Sequence, residues 1–117
     1  MNIRYRNKYG NVKENYKGYL FASGKEKRRY QELVLLHAAG EIQNLQVHPP
    51  FTLQKSFRDR NGKMIQAITV KWDFYYMIGT QAIVEDAKSP ATRKLDAYNI
   101  RRRLFIFKYP DIDFREV

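Results

Sequence analysis

The feature that most constrains this chain is a tight turn signal between two runs of alternating apolar and polar residues. Residues 51–57 and 64–78 form the two runs, and Asn61-Gly62 lies between them. Asn-Gly between extended runs is the strongest short-range signal for a β-hairpin. A third run, residues 81–88, follows Gly79-Thr80. The middle of the chain is therefore predicted to form consecutive antiparallel strands.

Helix signals lie on both sides of this region. Ser23 is a favourable N-cap, and Glu26 three residues later completes a capping box. The pattern predicts a helix over residues 24–39 that ends at Gly40. It also predicts a basic helix over residues 92–107, with short strands at residues 16–21, 42–47 and 112–117. The order of elements indicates an α/β or α+β domain in which helices pack against a mixed sheet.

Turn geometry then predicts which side chains share a face of the sheet. If Gly79-Thr80 is a two-residue turn, Asp73 lies directly opposite Asp86, and Lys88 follows on the same face. If Asn61-Gly62 is also a two-residue turn, the opposed pairs are Phe57 with Gln66, Leu53 with Val70 and Phe51 with Trp72. One face is then apolar and continues through Phe74, Tyr76 and Ile83, while the other face carries two acids and a lysine.

Two opposed carboxylates repel each other unless a cation lies between them. A divalent ion with oxygen ligands satisfies that requirement. Glu26 shares a helical stripe with Tyr30, Leu33 and His37, which places a third acid on the side that faces the core. Closing the capping box explains Glu26 equally well. Strand alternation places Glu85 on the opposite face, so we exclude it from the predicted site.

Composition indicates a polyanionic partner. The 117 residues include 22 Lys and Arg against 12 Asp and Glu, a formal charge of +10, and no cysteine. A domain this basic favours nucleic acid, although the charge also serves solubility. Without cysteine, disulfides and thiolate metal sites are excluded. There is no signal-peptide pattern and no apolar run of roughly 18 residues, so we expect a cytoplasmic protein without membrane contact.

The chain resembles the PD-(D/E)XK nuclease superfamily, and within it small phage-encoded nucleases and archaeal-type Holliday-junction resolvases. The residues that carry the resemblance are Phe21-Ala22-Ser23-Gly24-Lys25-Glu26, the strand with Asp73, Asp86-Ala87-Lys88, and the segment from Tyr109 to Val117. The resemblance implies a restriction-endonuclease-like core, a central mixed sheet of four to five strands flanked by helices. It covers residues 14–117 as one domain, and we expect residues 1–13 to be a flexible segment.

The resemblance also implies a function, metal-dependent hydrolysis of DNA phosphodiester bonds with Mg²⁺ or Mn²⁺. The implied catalytic residues are Glu26, Asp73, Asp86 and Lys88, and the implied metal ligands are the three acids with the backbone carbonyl of Ala87. Trp72 stands where the motif has Pro. His48 stands where related sequences often have Gln, which leaves a fifth active-site residue open.

A nuclease of this kind needs a surface for the nucleic-acid backbone. The predicted nucleic-acid-binding residues are Lys25, Arg28, Arg29, Lys71, Arg101, Arg102 and Arg103. We expect a branched DNA or Holliday junction as substrate in phage DNA metabolism, in a bacterial host or phage-infected cell. Branch selectivity usually needs two active sites, so we also expect a homodimer. The alternatives are a non-catalytic basic nucleic-acid-binding protein, an RNA-directed nuclease, and an interaction protein with an acidic partner.

Overall fold

The computed structural model describes the backbone of residues 4–6 and 12–117, and the side chains of residues 16–117 other than Pro90 and Thr92. The strands are β1 (Arg4–Arg6), β2 (Val12–Tyr16), β3 (Tyr19–Phe21), β4 (Gln43–Val47), β5 (Pro50–Gln54), β6 (Phe57–Arg58), β7 (Met64–Ile65), β8 (Ile68–Lys71), β9 (Phe74–Ile78), β10 (Gln81–Asp86) and β11 (Asp113–Glu116). The helices are α1 (Gly24–Ala38), α2 (Pro90–Arg93) and α3 (Asp96–Lys108).

A four-stranded mixed sheet lies at the centre, in the order β11-β10-β9-β4. β9 pairs antiparallel with β4 and β10, and β11 pairs parallel with β10. Alternation along β10 sends Ile83 into the apolar cluster that contains Leu33 of α1, and Val84 into the cluster that contains Phe105 of α3. The two helices therefore cover opposite faces, which confirms the predicted α/β class with a mixed sheet and helices.

Helix α1 begins and ends where the sequence predicts. The Ser23 hydroxyl accepts a hydrogen bond from the backbone N–H of Glu26 at 3.2 Å. At the other end the N–H of Gly40 donates to the carbonyl of His37, and Glu41 donates to Leu36. This pair of bonds is a Schellman motif, which satisfies carbonyls at the helix end, and Gly40 supports it with a φ of +78°. The predicted apolar stripe is only partly correct, because His37 is exposed.

The run of residues 64–78 is not the single strand that its alternation predicts. The chain bends at Trp72-Asp73, and strand pairing passes from β5 with β8 to β10 with β9. Trp72 consequently packs with Val70 in the α3 cluster, whereas Phe74 packs in the α1 cluster. The predicted continuous apolar face is therefore wrong, and its members are divided between two cores.

The register predicted at Asn61-Gly62 is also wrong, by one residue. Phe57 lies opposite Ile65, not Gln66, and a shift in register beyond Thr52 places Phe51 opposite Val70, not Trp72. The loop has three residues, because Asp59 N–H donates to the Lys63 carbonyl at 2.8 Å. Loops of this length use a residue in the left-handed region, here Gly62 with a φ of +81°.

Other boundaries differ less from the predictions. The basic helix of residues 92–107 is divided into α2 and α3, and the strand of residues 16–21 is interrupted by a turn at Lys17-Gly18. The predicted last strand is confirmed as β11. Of the segment 1–13, residues 1–3 and 7–11 lie outside the described residues, and Arg4–Arg6 pairs with β2. Its flexibility stays a prediction. None of the described helices has the length and apolar character that crossing a membrane requires.

Candidate functional site

The two aspartates of the predicted site come from neighbouring strands of the central sheet. Pairing of β9 with β10 runs from Ile78 opposite Gln81 to Phe74 opposite Glu85, which confirms the two-residue turn at Gly79-Thr80. Asp73 and Asp86 are the next positions in this register. The N–H of Ala87 donates to Oδ2 of Asp73 at 2.6 Å, so the Asp73 carboxylate is directed toward the end of β10. The predicted role of the Ala87 carbonyl stays a prediction.

Asp86 is fully buried, with an exposure of 0%. Neither of its carboxylate oxygens has a hydrogen-bond partner in the part of the chain that the structure describes. The ammonium of Lys88 forms an ion pair with Oδ1 at 3.4 Å. A buried carboxylate with free lone pairs is costly unless a further cation or donor reaches it, so Asp86 is available to bind one.

Burial acts on both aspartates, and repulsion from the carboxylate of Glu26 adds to it. Burial, with the charges of Asp86 and Glu26, raises the pKa of Asp73 to about 8, although Lys88 opposes the shift. Burial also raises the pKa of Asp86 to about 6, again against the opposing charge of Lys88. The four charged groups therefore interact, which is the relation expected of ligands that share one cation.

Glu26 joins the aspartates from helix α1 and is buried, with an exposure of 2%. One oxygen, Oε2, accepts a hydrogen bond from the N–H of Ala22 at 3.0 Å. The other, Oε1, lies 2.8 Å from Nε2 of His48. Among the described hydrogen bonds, Glu26 accepts from the N–H of Ala22, one residue before the N-cap Ser23 from which a capping box would accept. Its carboxylate also belongs to the acidic cluster, and its role as a metal ligand stays a prediction.

His48 is the functional candidate that the sequence analysis did not assign. Its backbone N–H donates to the carbonyl of Asp73 at 2.9 Å, and its φ of +53° lies in the left-handed region. Non-glycine residues in that region are uncommon and often occur at functional sites. The contact of its side chain with Glu26, 22 positions earlier, then joins His48 to the acidic cluster.

Glu26, His48 and Asp73 each offer one ligand atom, and these atoms lie within 4.8 Å of one another. Two carboxylates and an imidazole suit Mn²⁺ and other transition ions, and the carboxylates suit Mg²⁺. The carboxylate of Asp86, whose oxygens accept no hydrogen bond among the described residues, adds acceptors beside this group. The residues present therefore fit a divalent cation, on the evidence of unsatisfied buried oxygens and a compatible donor set.

Glu85, the neighbour of Asp86, belongs to the other face as predicted. It is fully buried, and its carboxylate accepts two hydrogen bonds from Arg29, at 2.7 Å from Nε and 2.6 Å from Nη2. The hydroxyl of Tyr76 donates to the same carboxylate. Arg29 also pairs with Glu32 at 2.8 Å. The charge of Glu85 is therefore compensated by residues on the face of the sheet that helix α1 covers.

The predicted nucleic-acid-binding residues divide into two groups. The exposed group comprises Lys25, Arg28, Lys71, Arg101 and Arg103. The guanidinium groups of the other two have partners within the protein. Arg29 binds Glu85, and Arg102 pairs with Glu116 at 3.2 Å and lies over the ring of Phe114. Only the exposed group can offer uncompensated charge at the surface.

Comparison with known proteins gives one match. A family model described as "Protein of unknown function (DUF1064)" matches residues 6–117. No curated protein and no solved structure matches the chain.

Proposed function

Because the chain belongs to the DUF1064 family, whose function is unknown, we propose its function from the site itself: a divalent-metal-dependent DNA endonuclease with a PD-(D/E)XK-type active site. One observation carries the proposal. Three buried carboxylates and the Lys88 ammonium interact at the end of one hairpin, and both oxygens of Asp86 lack hydrogen-bond partners among the described residues. Such an arrangement costs free energy of folding, which a bound divalent cation would offset.

Each residue has a role in the proposed mechanism. Asp73, Asp86 and Glu26 would hold Mg²⁺ or Mn²⁺. The bound ion supplies polarisation of the scissile phosphate and a lower pKa for the attacking water. Lys88, held beside Asp86, stabilises the negative charge that develops on the phosphate. His48 orients Glu26 through its hydrogen bond.

The overall reaction is phosphodiester hydrolysis. Water adds to phosphorus, and the bond from phosphorus to one deoxyribose oxygen breaks. The products are a phosphate monoester and a hydroxyl group. The chain's formal charge of +10 favours DNA binding, and we propose branched DNA, including four-way junctions, as the first substrate to test.

The alternative is a basic nucleic-acid-binding protein without catalytic activity, in which the acids are structural. The +10 charge suits both functions. Asp86 favours the nuclease, because a purely structural acid would be expected to have hydrogen-bond partners of the kind Glu85 has.

The test is cleavage of a four-way junction, a flap, a plain duplex and single-stranded DNA, each with Mg²⁺, Mn²⁺ or EDTA. The proposal expects metal-dependent cleavage of at least one DNA, lost in the Asp86→Asn variant and retained in Glu41→Gln, which removes an exposed acid elsewhere. Cleavage that persists in EDTA, or no cleavage of any DNA alongside tight binding, would support the non-catalytic alternative.

A further inference from the structure

A segment outside the proposed active site leaves the body of the protein as a two-stranded ribbon. We define the arm as residues 55–69, which contain β6, β7 and the loop between them. All arm residues are exposed except Asp59 and Ile65, which are half-buried. Among the described elements, β6 and β7 pair only with each other. The arm therefore contributes little to either apolar core.

The arm combines basic residues with large apolar side chains, although nearly all of its residues are exposed. It carries four basic residues and one acid, a net charge of +3. Three large apolar side chains are exposed among these charges: Phe57 at 48%, Met64 at 42% and Ile68 at 44%. An isolated two-stranded hairpin is marginally stable in water, so exposed apolar groups on one point to a surface that is covered in a complex.

The arm also has a defined relation to the proposed active site. The arm continues the ribbon formed by β5 and β8. At the end of that ribbon away from the arm, β5 follows His48 and β8 precedes Asp73. The N–H of His48 donates to the carbonyl of Asp73, and the N–H of Trp72 donates to the carbonyl of Pro49 at 3.3 Å. The site and the arm therefore lie at opposite ends of one continuous ribbon, which backbone hydrogen bonds join to the residues of the site.

We propose that the arm enters the major groove of duplex DNA beside the site, an inference that rests on the proposed function. The major groove is about 12 Å wide and admits a two-stranded β-ribbon. From its base to its tip each strand of the arm spans about 20 Å, or about six base pairs. Arg58, Arg60 and Lys63 contact phosphates, and the exposed apolar side chains contact base edges and sugars.

Binding of a labelled duplex of about 30 base pairs, longer than the arm, tests the proposal in metal-free buffer, where no cleavage occurs. The arm variant carries Arg58→Gln, Arg60→Gln and Lys63→Gln. A matched control carries Lys17→Gln, Lys108→Gln and Arg115→Gln, three exposed cations outside the arm. We expect the arm variant to bind at least about tenfold more weakly, and its log–log salt slope to fall by up to about 2.7, or about 0.9 per lost contact.

The control is expected to change the slope by less than about one, and both variants are expected to melt at the wild-type temperature. An equal loss in the control would show that only total charge matters and would overturn the proposal. The same arm-dependent loss on double-stranded RNA would also overturn it, because the major groove of A-form RNA is too narrow for side chains to read. A third result would also overturn the proposal: the arm variant binds single-stranded DNA more weakly than the wild-type protein but binds duplex DNA equally well.

Failure of the inference and failure of the proposed function give different results. If the arm variant binds duplex DNA like the wild-type protein while the wild-type protein cleaves DNA with Mn²⁺, the arm is not the contact and the nuclease proposal stands. If the wild-type protein binds no duplex, the inference about the arm fails. The nuclease proposal fails as well only if the wild-type protein also cleaves none of the four DNAs with Mg²⁺ or Mn²⁺.

Discussion

At the level of single residues, Asp73 and Asp86 matter most, because the burial of each charged carboxylate carries a cost that a bound cation would offset. Both are buried, and burial raises the pKa of each above its ordinary value. Protonation, binding of a cation and removal of a carboxylate all relieve the same repulsion. The stability of the metal-free protein therefore reports on the site without any assay of cleavage.

The first prediction concerns pH. The folded-state pKa of Asp73, about 8, lies above its unfolded value, so its stabilising contribution is present below about pH 4 and is lost as the pH rises through about 8. The melting temperature of the metal-free wild-type protein is expected to fall between pH 5 and pH 8, and to fall less in Asp73→Asn. Adding Mn²⁺ should raise it more at pH 8 than at pH 5. Equal slopes in wild type and variant would contradict the assignment.

The second prediction separates the metal ligands from the lysine. Asp86→Asn should abolish cleavage and metal binding while DNA binding is retained or tightened, because one repulsive charge is removed. Lys88→Ala should still bind the ion but cleave far more slowly. The lysine charge acts on the phosphate, so its removal should cost about 3–4 kcal/mol of transition-state stabilisation. Cleavage under saturating Mn²⁺, with calorimetry for the ion, distinguishes the two. Wild-type-like cleavage by Asp86→Asn would refute the mechanism.

The third prediction concerns His48. An imidazole that orients a metal-ligating carboxylate typically contributes 10- to 100-fold to activity or metal affinity. His48→Ala is therefore expected to lower metal affinity and cleavage rate by about that factor. His48→Gln, whose amide can donate to Glu26, should lower both by less. The readout is Mn²⁺ affinity by calorimetry alongside cleavage rate. The exposed His37→Ala serves as the control, and a loss of equal size there would contradict the role.

At the level of secondary-structure elements, prediction from sequence succeeded where geometry left little freedom. The register of β9 with β10 followed from one two-residue turn, and its last pair, Phe74 opposite Glu85, makes Asp73 and Asp86 the next positions. The register predicted for the two strands of the arm was wrong by one residue, because an Asn-Gly pair is compatible with loops of two or three residues. Here the Asp59 side chain accepts hydrogen bonds from the N–H groups of Asn61 and Lys63 and selects the longer loop.

Two further features could not be read from local pattern. Alternation through Val70, Trp72 and Phe74 does not reveal that the strand bends between Trp72 and Phe74, since period-two spacing continues across an interruption. His48 was missed for a related reason. Its contacts with Glu26 and Asp73 join three separate elements, and long-range contacts of this kind leave no periodic signal in one sequence.

The fourth prediction concerns the ion pair between helix α1 and strand β10. Glu85 is fully buried, and the Arg29 side chain is 27% exposed. Glu85→Ala leaves a guanidinium without its main partner and is expected to lower the free energy of unfolding by about 3 kcal/mol. Glu32→Ala removes an exposed partner of the same arginine and should cost less than about 1 kcal/mol. Urea unfolding measures both, and equal small losses would contradict a structural role for the buried pair.

At the level of the whole molecule, charge and shape act together. The radius of gyration is 16.2 Å, against about 13 Å for a compact domain of this length. The principal extents of 51, 39 and 26 Å describe an elongated body. An elongated body offers a polyanion a long surface to contact, and the formal charge of +10 favours that contact.

The fifth prediction follows from that surface. If the wild-type protein contacts six or more phosphates, its affinity for duplex DNA should fall by about 10³-fold or more between 50 and 200 mM salt. Fluorescence anisotropy at several salt concentrations gives the slope. A flat response would remove the support that the net charge lends to nucleic-acid binding.

The two hairpin turns of the chain differ in how they tolerate insertions and deletions. Length changes at the tip of the arm, around Asn61-Gly62, alter only its reach. A single residue inserted at Gly79-Thr80 would shift β10 by one position against β9, and each side chain would turn to the opposite face. Glu85 would then lie among the proposed metal ligands and Asp86 against Arg29. Homologous chains are therefore expected to vary in length at the first turn and to keep two residues at the second.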